Sequence, residues 1–549
     1  MRILLVTPPL TQLNTPYPAT AYLKGYYVAH GHEVRQVDLG IEVVDRVLSR
    51  DFLHSIGLEK QARLVEPVKR FLRGQDDTLG PRIANRSLLP EGSRFAQLDD
   101  LEWAFGTAGI NDRAQHLATL FIEDIADHIR EHVDAHFDLV RYAEYLSNDA
   151  PSFDPLYAEL QQEPSPIDRL MLDLLKECVS EFSPDKVCIT VPFPGCLYGA
   201  LRCGQWLKAH TDATVEIGGG FPNTEWRQLS DQRIYEFCHE VVIDGCKEAD
   251  LYCPDFSDLP LDKYLSLAEM ANPMHRLWSM GRWNKMVMAQ GCYWHRCAFC
   301  DTSLPYIGDY RAPQAATVVD HMERVMAQTG RTGFHFVDEA LPPKLLKEVA
   351  EEILRRGLAV SFWGNIRFEK AYTAELCDLL SEAGMVAVSG GLEVASDRLL
   401  KLIDKGVTIQ QTVDACRHLR DAGIMVHTYL MYGFPTETLQ ETVDALETVR
   451  RMFDEGIVQS AFWHRYAMTC HSPSGLHPER YGARRVTLEP NPFCNNEVDW
   501  EPGFDYDIEA VGAALRVATY NYMNGLGLDQ PVRSWFPIKV PKPTLNTKH

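Results

Sequence analysis

The 549-residue sequence predicts an α/β protein made of two parallel units in tandem. An open doubly wound sheet comes first, and a six-stranded, closed or partly closed parallel barrel follows. Three observations predict this. Short β-rich apolar runs alternate with segments of helical period in both halves, and glycines stand at many strand ends. The length also exceeds the roughly 250 to 300 residues at which one hydrophobic core stops growing.

In chain order, "RILLV" reads as a buried strand and "TPPLTQLNTPYPAT" as a Pro-rich loop. "AYLKGYYVAHG" reads as a helix stopped at Gly31, and "EVRQVDL" as the next strand. The rhythm resumes in "DKVCITV" (185–191), the helix-like "YGALRCGQWLKAH", "VEIGGG" (215–220) and "EVVIDG" (240–245). Residues 42–180 between the two halves have helical periodicity and little strand signal, and read as a helical insertion within a first unit spanning 1–265. A sheet of this kind binds its ligand beyond the carboxyl ends of its strands.

The barrel is expected over 283–480. Its strands read as "KMVMAQ", "GFHFVDEA", "AVSFWGNIR", "VAVSGGLE", "MVHTYLMYGFP" and "QSAFWHRYAM", most of them separated by helix-like segments such as "PKLLKEVAEEILRRG". Chemistry in such a barrel sits at the strands' carboxyl ends. Residues 481–549 read as a C-terminal extension: a loop-like stretch, the helix "IEAVGAALRVATYNYMNG" and a loose tail, "VPKPTLNTKH".

Hydrophobic residues make up 45% of the chain and charged residues 24%, an ordinary globular composition. The formal net charge of -22 argues against nucleic acid as a partner, because phosphate binding needs a basic surface. The opening "MRILLVTPPL" is stopped by Pro8 and Pro9 and reads as a strand, not a signal peptide, and no run approaches the ~20 apolar residues of a membrane span. A cytoplasmic protein without a membrane partner is expected.

Fourteen cysteines lie in the sequence, and only "MAQGCYWHRCAFCD" gathers several. Cys178, Cys188, Cys203, Cys238, Cys377 and Cys416 read as small buried hydrophobes. Cys292, Cys297 and Cys300 fall within nine residues, a density that points to ligation of a metal or cluster. A structural zinc needs a fourth ligand, with His295 and His464 as nominal candidates, although His295 reads as a spacer within the loop. A four-iron cluster held by three thiolates would leave one iron open to a non-protein ligand.

The "CAFCD" loop behind the first strand of a six-stranded α/β barrel resembles the radical S-adenosylmethionine (SAM) superfamily. It differs from the common CxxxCxxC pattern by one extra residue between the first two cysteines. The resemblance implies a 4Fe-4S cluster on Cys292, Cys297 and Cys300, with SAM on the fourth iron cleaved to a 5'-deoxyadenosyl radical. It further implies contacts to SAM from Asp338 and Glu339 in "FVDEA", Arg367 in "GNIR", Gly390, Gly391 and Glu393 in "SGGLE", and Gly433 in "YGFPTET". Read alone, an acidic strand end is a helix cap and paired glycines are a turn.

The first unit resembles the cobalamin-binding domain of the B12-dependent branch of that superfamily. The matching segments are "RILLVTPP" with its loop through Tyr17, "ITVPFPGCLYGALRCGQWLK", "VEIGGGFPN" and "VVIDGCKEADL". The resemblance implies that Pro9, Thr11, Tyr17, Gly218, Gly219, Gly220 and Gly245 face the corrin or its tail. The DxHxxG motif of many cobalamin proteins is absent, and "DAHFDL" at 134–139 lacks its glycine. A nucleotide is the rival ligand for such a sheet.

Together these resemblances imply a methyltransferase that moves methyl from methylcobalamin to an unactivated carbon of a small molecule or peptide. A reductant such as flavodoxin or ferredoxin would serve it. A radical cyclisation, ring contraction or rearrangement without methyl transfer is the alternative, and a non-catalytic zinc- or corrinoid-binding protein is a third reading. Trp463, Tyr466 and Trp500 read as core or pocket aromatics, and Cys470 as an inert thiol.

Overall fold

Apolar runs in the two halves form two separate, wholly parallel sheets. A computed structural model describes residues 1–97, 109–148, 150–246, 248–270, 272–486, 492–501 and 503–544. In the first half β1 (Arg2–Thr7), β2 (Glu33–Asp38), β3 (Lys186–Thr190), β4 (Thr214–Gly218) and β5 (Glu240–Val241) pair in the order β2-β1-β3-β4-β5. Every residue of β1 after Arg2 is buried, as a strand covered on both faces requires. The order reverses between β1 and β3, which is where doubly wound sheets open a crevice. β5 is shorter than "EVVIDG" predicts, because Asp244 and Cys246 take positive φ and turn the chain out of the sheet.

Between β2 and β3 the chain is helical, with long helices at Glu59–Leu72, Ile110–His132 and Pro166–Phe182. They share one hydrophobic core with the first sheet. Ser165 and Asp168 form a capping box at the start of the last of these helices. Asp168, fully buried, also accepts from Tyr142 and Tyr198 at 2.7 Å each and pairs with Arg202 at 3.2 Å. Arg202 in turn donates to the carbonyl of Leu160 at 2.7 Å. A buried charge network thus fastens the insertion to helix Leu197–His210.

In the second half β6 (Trp283–Met286), β7 (Gly333–Phe336), β8 (Ser361–Ile366), β9 (Met385–Glu393), β10 (Met425–Tyr432) and β11 (Ser460–Arg465) pair in sequence order. Among the described residues no pairing joins β6 to β11, so the barrel is the partly closed form. Helix Ile508–Met523 packs on β11, and Trp463 Nε1 donates to Thr519 Oγ1 at 2.8 Å. Trp463 therefore belongs to the core, as do Tyr466, bonded to Ser474, and Cys470, whose thiol donates to the Asn495 carbonyl.

The C-terminal tail differs from the loose segment the sequence predicts. Val540 is buried, the Lys542 carbonyl accepts from Gln440, and Thr544 bonds Asp444 through its backbone N–H and its hydroxyl. These contacts hold it to helix Leu439–Asp454, while residues 545–549 lie outside the described residues.

The halves meet with the carboxyl ends of both sheets facing a common space. The Val287 N–H donates to Tyr22 Oη at 2.6 Å, and the Asn495 and Asn496 N–H groups both donate to Glu225. Asp168→Ala would leave Arg202 buried without its counter-charge, at a cost of about 3 kcal/mol. Urea unfolding is expected to show a lower midpoint for this variant, and the double variant Asp168→Leu/Arg202→Met is expected to recover most of the loss.

Candidate functional site

β6 ends at Met286, and the chain enters the cysteine loop through Gly291 at φ +71°. A Cβ there would stand 2.7 Å from the Asp309 carbonyl oxygen, so the turn demands glycine. The Cys292 N–H donates to the Ile307 carbonyl and the Ala298 N–H to that of Ile403, which pins the loop at both ends. Cys292, Cys297 and Cys300 all line one cavity of about 160 Å³ at the carboxyl end of the barrel. Among the described residues no three His, Cys, Asp or Glu side chains converge as on a single metal ion.

Arg367, Glu393 and Lys405 line the same cavity. Lys405 pairs with Glu393 at 2.7 Å, and Arg367 lies 3.8 Å from the Cys297 sulfur and bonds Glu369 at 2.8 Å. Trp294 stacks over the Arg367 guanidinium at 4.3 Å and donates its Nε1–H to the Asp404 carbonyl. The hydrogen bond from Cys300 pulls the Cys297 thiol down to about 7 against the effect of burial, helped by Lys405 and Arg367, and the same bond holds Cys300 up. Burial alone would lower the Lys405 ammonium; Glu393 and Cys297 raise it instead.

The other expected SAM contacts divide. Glu339, Arg367, Gly390, Gly391 and Glu393 line the three-thiol cavity. Asp338 does not. It is 2% exposed, and its carboxylate accepts the Met288 and Ala289 N–H groups at 2.8 and 2.7 Å. Burial raises it to about 7 despite those bonds, and it serves to fasten the strand leading into the cysteine loop. Gly433 is also outside the cavity: its N–H donates to Glu437, which closes the turn after β10. Glu339 is exposed by surface area yet set deep in the protein, because it faces cavity space; burial raises its carboxyl.

A second cavity, of about 640 Å³, lies beyond the carboxyl ends of the first sheet. Tyr17, Gly218, Gly219, Gly220 and Gly245 line it, with Phe193 edge-on to Tyr17 at 5.8 Å. Gly219 has φ +119°, and a Cβ on it would lie 2.7 Å from the Val191 carbonyl oxygen, so backbone alone forms that wall. Cys188, read above as packing, also borders this cavity, beside the Lys186–Glu216 ion pair at 2.6 Å. Pro9 and Thr11 do not border it; their loop is buried against residues 194–200, with the Cys196 thiol donating to the Leu10 carbonyl. Barrel residues Gln290, Tyr306 and Glu339 close the far side, and Glu339 borders both cavities.

Sequence reading missed Lys405, Trp294, Asn365, Ser389 and Tyr429, all of them close to the thiols or on the cavity wall. Lys405 stands in an ordinary loop, "IDKGV", and no spacing rule marks it. Its one signal is the αL residue Asp404 ahead of Gly406, which turns the chain back under Trp294.

Three thiols ranged round a cavity with two cations beside them fit a multi-iron cluster, whose irons are separate, better than one zinc. The sequence pattern of the radical SAM superfamily matches residues 286–449. Residues 286–449 are therefore similar to a radical SAM domain, and the match is to that part of the chain.

Among curated relatives, an uncharacterized methyltransferase of Pyrococcus horikoshii is 24% identical over 201 residues, 36% of this chain and 41% of the relative. The anaerobic magnesium-protoporphyrin IX monomethyl ester cyclase of Cereibacter sphaeroides is 33% identical over 172 residues, 30% of this chain and 27% of the relative. The matched stretches thus span less than half of either relative. Among solved structures, the radical SAM methyltransferase TsrM from Kitasatospora setae, with cobalamin and a [4Fe-4S] cluster bound, is 21% identical. That match covers 59% of this chain and 73% of TsrM at a TM-score of 0.42.

Lys405→Met removes the cation that steadies the Cys297 thiolate. In cluster-free protein the alkylation of Cys297, followed by peptide mapping, is expected to move its pH midpoint upward by about one pH unit.

Proposed function

We propose that this chain is a cobalamin-dependent radical SAM enzyme, most simply a methyltransferase acting on an unactivated carbon. The observation that carries the reading is the junction at Glu339. One carboxylate borders both the three-thiol cavity and the glycine-walled cavity of the first sheet. Residues 1–265 would serve as the corrin unit, 283–480 as the SAM unit and 481–549 as their cover.

Cys292, Cys297 and Cys300 would hold the 4Fe-4S cluster, and Tyr17, Gly218, Gly219, Gly220 and Gly245 would border the corrin. When bound, the cluster supplies one electron for the reductive cleavage of SAM, and cobalamin supplies the methyl group. Glu339 would accept hydrogen bonds from the SAM ammonium, which favours the ionised carboxylate over the protonated one that burial alone promotes. Glu393, held in place by Lys405, offers a second carboxylate to SAM hydroxyls. Gly390 and Gly391 leave wall without side chain. Arg367 and Lys405 stabilise the buried thiolates and keep Cys297 ready as a ligand. An external reductant of the flavodoxin or ferredoxin class completes the requirement.

The cyclase among the relatives favours one second reading, a radical cyclisation or rearrangement without methyl transfer. Protein purified without oxygen from cells supplied with cobalamin is expected to carry about four irons and one corrinoid per chain. The triple alanine variant of Cys292, Cys297 and Cys300 is expected to lose the iron. With reductant and substrate, S-adenosylhomocysteine formed together with 5'-deoxyadenosine supports methyl transfer, and 5'-deoxyadenosine alone supports the second reading. Zinc in place of iron would contradict both.

A further inference from the structure

A third cavity, of about 420 Å³, occupies the barrel's lumen on the amino-terminal side of the strand ends. Inward side chains of five strands line it: Lys285 on β6, His335 on β7, Trp363 on β8, His427 and Tyr429 on β10, and Phe462 on β11. Described residues of the joining segment between Leu267 and Ser279, the loop Gln12–Thr15, Val140 and Trp283 complete the wall. None of the expected cluster, SAM or corrin ligands borders this space. It is nevertheless not isolated, because Tyr429 lines both this lumen and the three-thiol cavity.

The part of the wall carried by the strands is largely aromatic. His335 lies flat on Trp363, with ring centroids 3.6 Å apart and planes 9° apart. Trp278 meets Trp363 and His427 edge-on, at 6.4 and 5.0 Å. His427 is pulled by burial down to about 3, so its ring is neutral near pH 7. Its Nε2 and the Nε1 of Trp363 have no hydrogen-bond partner among the described residues. Rings ordered in this way favour a flat aromatic guest, which packs by offset or edge-to-face contact.

One cation stands in this apolar space. Lys285 Nζ donates to Gln12 Oε1 at 2.6 Å and, among the described residues, to no carboxylate. An ammonium has three donors, so two are left for a ligand. Burial pulls this group down to about 7, the response of a buried amine without a counter-charge. The carboxylate in the lining, Glu269, is exposed and shared with a neighbouring surface groove. His275 faces Asp112 at 3.3 Å. An anionic group on the guest would supply the missing counter-charge.

We propose that the lumen is the substrate site, and that it takes an aromatic molecule bearing one anionic group. Its rings lie among Trp278, Trp363 and Phe462, its anion meets Lys285, and its other edge points past Tyr429 toward the three-thiol cavity. The assignment of this guest as substrate rests on the radical SAM reading above, whereas the binding itself does not.

Calorimetric titration of the full-length, cofactor-loaded protein tests this with two probes of one shape, 2-naphthoate and the neutral 2-naphthamide. Naphthoate is expected to bind the wild-type chain about tenfold or more tightly than naphthamide, as a charge-assisted contact in a dry site does. Lys285→Met and Lys285→Gln are each expected to erase that preference and to leave naphthamide binding unchanged. Should one variant lose its native melting transition, the other carries the comparison. Equal binding of the two probes to the wild type, or naphthoate binding that both variants retain, would overturn the assignment. Iron and corrinoid are measured on the same samples. Their absence beside a Lys285-dependent naphthoate preference would overturn the proposed reaction and leave the binding site standing.

Discussion

Two parallel sheets can share one chamber only if the carboxyl ends of their strands face each other, and the rest of this molecule depends on that constraint. In a parallel sheet the loops able to bind ligands all leave from one edge. Here the edge of the first sheet, at Tyr17 and Gly218–Gly220, lies across from the barrel edge at Gln290, Tyr306 and Glu339. The contacts that hold this orientation are ordinary: Val287 to Tyr22, Asn495 and Asn496 to Glu225, and the His471 ring nitrogen to the Thr224 carbonyl at 2.9 Å. Their effect is to make Glu339 common to two cavities.

The second requirement is charge. Thiols buried together resist ionisation, and a cluster needs them ionised. Lys405 and Arg367 answer this from separate loops, and each is anchored by its own acid, Glu393 or Glu369. The same loops pass Trp294 over the guanidinium and fix its direction. The chain therefore spends two cations where its overall charge is strongly negative.

Much of this was legible in the sequence. All six barrel strands overlap the apolar runs that predict them, four of them falling wholly inside, whereas β6 begins two residues before "KMVMAQ" and ends at Met286 and β9 begins one residue before "VAVSGGLE". The cysteine loop and Glu393 follow from their order along the barrel. Asp338 shows the limit: two adjacent acids, Asp338 and Glu339, look alike in sequence, yet in the turn just past β7 one is bound by backbone amides and the other faces the cavity. Pro9 and Thr11 fall on a loop whose neighbours are 185 or more residues away in sequence, in the Gly195–Cys196 turn. Lys405 and the lumen wall between Leu267 and Ser279 are matters of tertiary placement, carried by no local period. The buried part of the tail, around Val540, lacked any pattern because so few of its residues pack.

The most direct test of the shared chamber is electron paramagnetic resonance of the loaded protein with the cluster reduced and the corrin as cob(II)alamin. A chamber with both cofactors at the Glu339 junction predicts that the reduced cluster broadens the cob(II)alamin signal and speeds its relaxation. A cob(II)alamin spectrum unchanged by reduction of the cluster would contradict the account.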